Sequence, residues 1–222
     1  MNVTTIVLIN GLWMTALSWE LWVQHYTDKG YRVIAANWPG MEGGVEQLRR
    51  DPGSFAALGL SDLVDHYEQI IRELETPPII IGHGFGGLVT QVLLDRGWGA
   101  AGVAIASAPV KGILLQTAFA NFTRHNAIPI NFRNDTRASL LLVAGGKDRI
   151  VPSSIVKANF DLYRESKAES DYKEFPDQAH FTLVRETKVA DYALGWALCR
   201  ANGSKLTAAT NQTDTWSVQL ST

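Results

Sequence analysis

One glycine-rich segment of the chain has the residue order that presents a nucleophile, although its central position carries no side chain. A β-branched run at Ile79–Ile81 leads into residues 82–87, which read Gly-His-Gly-Phe-Gly-Gly, and the apolar segment Leu88–Leu94 follows. A strand, a sharp turn and a helix in this order hold a serine above a parallel sheet with its hydroxyl exposed. Here the central residue is Gly84, which has no atom that can attack a carbonyl group.

Two further segments place an acid and a base after predicted strands. Asp148 follows the apolar strand predicted at Leu140–Ala144, and His180 follows a shorter strand predicted at Tyr172–Phe175. An aspartate behind an imidazole fixes its tautomer and stabilises the imidazolium that forms when it takes a proton. The glycine-rich turn, Asp148 and His180 occur in the chain order of one type of Ser…Asp…His triad. The sequence therefore predicts an acid–base pair whose nucleophile is missing.

Backbone amides near the turn are the predicted binding site for a developing oxyanion. After the first predicted strand, Thr5–Ile9, Gly11 lets the backbone turn inward, which would place the amide of Leu12 beside that of Phe85. We expect the substrate to contact the polar and aromatic residues around this crevice, namely Asn10, Trp13, Trp38 and Phe181.

No other residue is a convincing substitute for the missing nucleophile. We interpret Ser107 as a turn hydroxyl, because it follows a strand without the glycine-rich turn. The side chain of His83 is expected to point into the packing. Cys199 is predicted to be a buried, inert thiol on the apolar side of the last helix.

The elements that must position these residues alternate between strands and helices. Near-continuous apolar strands followed by helices predict a mostly parallel sheet covered on both faces. Ligands of such sheets bind beyond the carboxyl ends of the strands, where all the residues named above are expected. We interpret residues 1–201 as one core with a short polar connection at about 111–137, and residues 202–222 as a poorly ordered polar tail.

The amino-acid composition and net charge limit the classes of partner and ligand that the chain can bind. The 222 residues are 46% hydrophobic, which suits one α/β domain with a large core. A net charge of −2 gives no basic surface for nucleic acid or anionic lipid. The single cysteine excludes an internal disulfide and multi-cysteine metal sites, and neither a metal nor a cofactor is expected. Because the sequence shows no leader and no apolar segment long enough to span a membrane, we expect the protein to be located in the cytoplasm.

Over nearly its whole length before the tail, the chain resembles the α/β-hydrolase superfamily. Residues 82–87 are similar to the Gly-His-Ser-x-Gly-Gly elbow of its esterases, lactonases and hydroxynitrile lyases, and residues 140–152 and 171–180 resemble its acid and histidine segments. The resemblance implies a three-layer fold in which Gly84 occupies the position of the family's serine and Asn10 the position of a histidine. It also implies a reduced cap, because relatives insert a helical cap where this chain has residues 111–137.

Three functions remain open at this point. In the first, the chain is a variant of a serine hydrolase that acts on an ester, a lactone or a similar acyl compound. In the second, it is an enzyme such as a lyase or oxygenase, in which the pair of His180 and Asp148 acts as a general base. The third alternative is a ligand-binding pseudoenzyme. Aromatic residues at the mouth favour an apolar or aromatic acyl ligand. The sequence is also compatible with a homodimer, since a reduced cap would expose apolar surface that a second subunit could cover.

Overall fold

The computed structural model describes residues 3–12, 14–41, 50, 59–110 and 128–202. Trp13, most of the predicted connection at 111–137 and the tail from 203 onward lie outside these residues. The strands of the described chain are β1 (Thr5–Ile9), β2 (Arg32–Ala35), β3 (Ile79–His83), β4 (Ala101–Ile105), β5 (Ser139–Gly145) and β6 (Ser170–Phe175). They form one sheet in the order β2-β1-β3-β4-β5-β6, and every neighbouring pair is parallel.

Helices follow the strands along the chain. Among the described residues, the α-helices are α1 (Glu20–Asp28), α2 (Leu60–Arg72), α3 (Phe85–Asp95), α4 (Ser153–Asp161) and α5 (Thr187–Ala201). The sequence predicts Ser61 as the N-cap of α2, but Ser61 lies inside the helix, which begins two residues earlier than that cap implies. Its cap is Gly59, whose amide donates to the Asp62 carboxylate at 2.8 Å.

The two faces of the sheet pack against different helices, which gives three layers. Because side chains alternate along a strand, Ile6 and Leu8 of β1 lie with α1 and α5, whereas Val7 and Ile9 lie with α2 and α3. Helix α4 packs on the same side as α2 and α3, against β5. The predicted α/β layering is confirmed, and the half-buried β6 lies at the sheet edge as its polar sequence indicates.

Two features bear on the sequence-based expectations. The connection between β4 and β5 covers only residues 106–138, which leaves room for no more than a reduced cap. Its described parts, 106–110 and 128–138, contain neither helix nor strand. Cys199 is partly exposed rather than buried as predicted, since it lies in the last turn of α5, where residues 198–201 are all partly exposed. Within the described residues, no helix combines the length and the apolar character needed to cross a bilayer.

Candidate active site

The turn between β3 and α3 adopts a backbone conformation that side chains rarely tolerate. Gly84 has φ +56° and ψ −115°. Its amide donates to the carbonyl of Ile105 at 2.9 Å, and its carbonyl accepts from the amides of Gly87 at 3.1 Å and Ala108 at 2.7 Å. Three backbone hydrogen bonds therefore hold the turn, to β4, to α3 and to the segment that follows β4.

The glycines on either side allow α3 to approach the sheet closely. A Cβ atom added to Gly82 would lie 2.0 Å from the carbonyl oxygen of Gly86. One added to Gly86 would lie 2.2 Å from the carbonyl oxygen of Ile9 in β1. Both positions exclude any side chain, so the first turn of α3 is held against the carboxyl ends of β1 and β3.

An aspartate-supported imidazole faces this turn. Nδ1 of His180 lies 2.7 Å from Oδ2 of Asp148. The other carboxylate oxygen, Oδ1, accepts the amides of Ile150 and Val151, each at 2.8 Å. The Asp148 side chain is fully buried and that of His180 is 9% exposed. These bonds direct the Nδ1 proton at Asp148 and leave Nε2 as the atom that faces the turn.

The distance between this imidazole and Gly84 matches a missing side chain. A Cβ atom added to Gly84 would lie 3.5 Å from Nε2 of His180 and 3.7 Å from Cα of Gly11, both ordinary contacts. A serine at this position could therefore carry its hydroxyl to within hydrogen-bond distance of Nε2, since a C–O bond adds about 1.4 Å of reach.

His83 belongs to the site, although the sequence predicts only a packing role for its side chain. Its Nε2 lies 3.0 Å from the carbonyl oxygen of His180, so this nitrogen carries the proton and donates it. The two imidazole rings lie 4.4 Å apart between centroids. Burial, with a smaller contribution from His180, lowers the pKa of His83 to about 3, so its ring is neutral. Its side chain lies in the packing, as expected, but it also holds the loop that carries His180.

A small cavity of about 30 Å³ lies between the turn and the imidazole. Its described walls combine the site residues with apolar side chains: Gly11, Leu12, Met14, Gly84, Phe85, Ala108, Ile150, Val151, His180 and Phe181. Phe181 is half exposed at the mouth. The sequence analysis missed Met14, Ala108, Ile150 and Val151, although each of them follows a strand end or Asp148 closely in the chain.

Leu12 and Phe85 are the residues predicted to form an oxyanion hole. Both line the cavity, together with Gly84. Phe85 is the first residue of α3, and the first amides of a helix have no acceptor within the helix. Such amides stabilise negative charge that develops on a substrate oxygen.

Two expected substrate contacts lie elsewhere. Asn10 is fully buried, and its Nδ2 donates to the carbonyls of Gly11 at 3.2 Å and Met14 at 2.6 Å. It therefore shapes the loop after β1 instead of lining the described cavity. Trp38 is also buried, with its ring 5.8 Å from that of Phe85, because both aromatic side chains fill the core between the sheet and α2.

The remaining candidates have structural contacts. The hydroxyl of Ser107 is buried, accepts from Gln91 at 2.8 Å and donates to the carbonyl of Ala108 at 3.0 Å. It thus acts as a turn hydroxyl beside the cavity. Among the described residues, no three His, Cys, Asp or Glu side chains are grouped to hold a metal ion.

Comparisons with known proteins agree with this architecture. A family profile described as the alpha/beta hydrolase family matches residues 6–201. Among curated proteins, no sequence matches the chain.

Solved structures with a similar fold include proteins described as hydrolases and as a methylesterase. A pyrethroid hydrolase from Sphingobium faniae aligns with a TM-score of 0.64 at 16% identity, covering 90% of this chain and 100% of the other. A putative dienelactone hydrolase from Klebsiella pneumoniae aligns with a TM-score of 0.65 at 14% identity, covering 90% and 87%. A methylesterase from Arabidopsis aligns with a TM-score of 0.65 at 13% identity, covering 86% and 98%. At these identities the likeness concerns the fold.

Proposed function

Because this chain belongs to the alpha/beta hydrolase family, we propose that it descends from hydrolases of carboxylic esters or lactones and has lost their serine-type mechanism at Gly84. The observation that carries the proposal is the 3.5 Å separation between Nε2 of His180 and a Cβ atom added to Gly84. The proposal is supported by the base that faces this position, by the aspartate bonded to that base, and by Leu12 and Phe85, which line the same cavity. The proposed ligand is an apolar or aromatic acyl compound.

The chemistry of the proposed ancestor follows from these positions. A serine hydroxyl at position 84 would attack the ester carbonyl and pass its proton to Nε2 of His180. The amides of Leu12 and Phe85 would bind the oxyanion, and Asp148 would stabilise the imidazolium. The bond to the leaving alcohol would then break as the proton passes from Nε2 to its oxygen, and water, activated by the same imidazole, would cleave the acyl-serine and release the acid. In the unsubstituted protein with Gly84, called the parent below, the first of these steps has no attacking atom. Loss of a triad serine lowers turnover by roughly 10⁶-fold.

The direct test is Gly84→Ser assayed with short-chain p-nitrophenyl esters. We expect turnover to rise by at least about 10³-fold over the parent, because the serine mechanism contributes roughly 10⁶-fold where it is complete. A fluorophosphonate reagent, which reacts covalently with activated serines, should label the variant and not the parent.

Gly84→Ala is the matched control, since it adds the same Cβ atom without the hydroxyl. It should be no faster than the parent and should stay unlabelled. The proposal is wrong if Gly84→Ser, shown to be folded by circular dichroism, is neither labelled nor faster than Gly84→Ala on a panel of aryl esters and lactones.

A second function is favoured by the intact acid–base pair. Asp148 keeps a hydrogen bond to His180 and two to backbone amides, although a protein that only binds a ligand needs none of them. A lyase or oxygenase-like reaction needs a base that removes a proton, and Nε2 of His180 could do this. Parent activity on cyanohydrins or activated carbonyl compounds that His180→Ala removes would support this alternative. Equal rates for the two proteins would exclude it for the compounds tested.

A further inference from the structure

We infer that the parent protein transfers acyl groups from activated esters directly to water or to a one-carbon alcohol, with His180 as general base and no covalent enzyme intermediate. This inference rests on the proposed function, because it uses the same base and the same amides. It concerns what the site does with glycine at position 84, and it adds the class of acceptor.

The cavity has room for a small acceptor beside the base. Its volume of about 30 Å³ is about two to three times the ~10–15 Å³ that a single ordered water needs on this scale. The nearest atoms to a Cβ at Gly84 are at 3.5–3.8 Å and belong to His180 and Gly11. A hydroxyl compound can therefore lie against the bare backbone of Gly84 and within hydrogen-bond distance of Nε2.

The transfer balances without a further reactant. The acceptor oxygen forms a bond to the ester carbonyl carbon while its proton moves to Nε2 of His180. The amides of Leu12 and Phe85 hold the oxyanion. When the carbonyl re-forms, the bond to the leaving oxygen breaks, and the proton on Nε2 passes to that oxygen or to solvent. The products are the new ester, or the acid when water is the acceptor, and the released alcohol.

The walls of the cavity should select acceptors by size. Gly11 and Ala108 bring backbone or a single methyl group to its sides, and Ile150 and Val151 are branched side chains of the loop that Asp148 fixes. Such a site admits methanol, whereas tert-butanol has three more carbon atoms around the attacking oxygen. A dependence on acceptor size separates reaction in this cavity from attack by bulk solvent.

The test measures the first turnover with protein in excess over p-nitrophenyl acetate, at increasing methanol or tert-butanol. In the parent, we expect the rate of nitrophenolate release to rise with methanol, to yield methyl acetate, and to exceed the rate of His180→Ala by about 10²-fold. tert-Butanol should have no such effect. In Gly84→Ser, release should not depend on methanol, because the enzyme serine attacks first.

Gly84→Ala tests the role of the space itself. Its methyl group takes up part of the cavity but leaves His180 and both amides in place, so the methanol-dependent rate should fall at least about tenfold. His180→Gln, which retains a side chain of similar size, accompanies His180→Ala in case the smaller variant does not fold.

The two proposals fail differently. A labelled, active Gly84→Ser together with a parent that ignores methanol and is no faster than His180→Ala overturns the direct transfer and leaves the lineage standing. An inert, folded Gly84→Ser overturns the proposed function. A methanol effect that persists in Gly84→Ala, or that tert-butanol reproduces, overturns the assignment of the acceptor to this cavity.

Discussion

Replacement of Gly84 by alanine should destabilise the protein even though no atom obstructs the new methyl group. The nearest neighbours lie at 3.5 Å or more, so the effect comes from the backbone, which is held at φ +56°. Strain of this kind amounts to about 1–3 kcal/mol for a residue other than glycine. Restriction of the unfolded chain by alanine offsets about 0.4–1 kcal/mol. The free energy of unfolding should therefore fall by about 1–2 kcal/mol.

Serine at the same position should be less harmful than alanine. Its hydroxyl can bond to Nε2 of His180, and a hydrogen bond of this type contributes about 1 kcal/mol. Gly84→Ser should thus unfold within about 1 kcal/mol of the parent. Urea unfolding followed by far-ultraviolet circular dichroism measures these differences, and the melting temperature of Gly84→Ala should fall by about 3–6 °C.

Gly30→Ala is a suitable control, because Gly30 has φ +88° and no atom within 4 Å of an added Cβ. It measures the effect of positive φ in open surroundings, away from the site. A Gly84→Ala variant as stable as the parent, alongside a destabilised Gly30→Ala, would refute the argument that the framework holds the turn in a strained conformation.

Two further predictions concern the side chains around the turn. The pKa of His83 is about 3 in the folded protein and about 6.5 in an unfolded chain. Between these pH values only the unfolded chain binds the extra proton, so the free energy of unfolding keeps its full value above pH 6.5 and falls below it. Between pH 7.5 and pH 5 the parent should lose about 2 kcal/mol that His83→Gln does not lose, as measured by urea unfolding, and a pH-independent difference between the two would contradict the buried, neutral ring. In the Gly84→Ser background, Asp148→Asn should lower kcat by roughly 10⁴-fold with little change in the far-ultraviolet spectrum, since an amide would turn the Nε2 lone pair of His180 into an N–H; an activity within tenfold of Gly84→Ser would show that Asp148 does not set the tautomer.

The sequence predicts the sheet well where apolar runs are short and bounded. Strand β1 has the predicted limits, and the limits of β3 and β5 lie within two residues of the predicted ones, because buried parallel strands are continuously apolar. Chain order alone also predicts that Asp148 and His180 follow neighbouring strands.

Side-chain directions could not be predicted in the same way. Asn10 follows β1 as a substrate-contacting residue would, but a fully buried amide needs partners, and it finds them in the carbonyls of its own loop. Trp38 has an aromatic ring suited to a binding crevice or to a core, and only its packing against Phe85 decides between them. The bond from His83 to the carbonyl of His180 joins residues 97 apart in the chain, which no local pattern indicates.

The three hydrogen bonds that hold Gly84 have an evolutionary consequence. Because backbone groups of Ile105, Gly87 and Ala108 impose the turn, its shape does not depend on the identity of the central amino acid. Glycine and serine codons can differ by a single base. A lineage with this framework can therefore lose or recover its attacking hydroxyl through one point mutation, without passing through a misfolded ancestor.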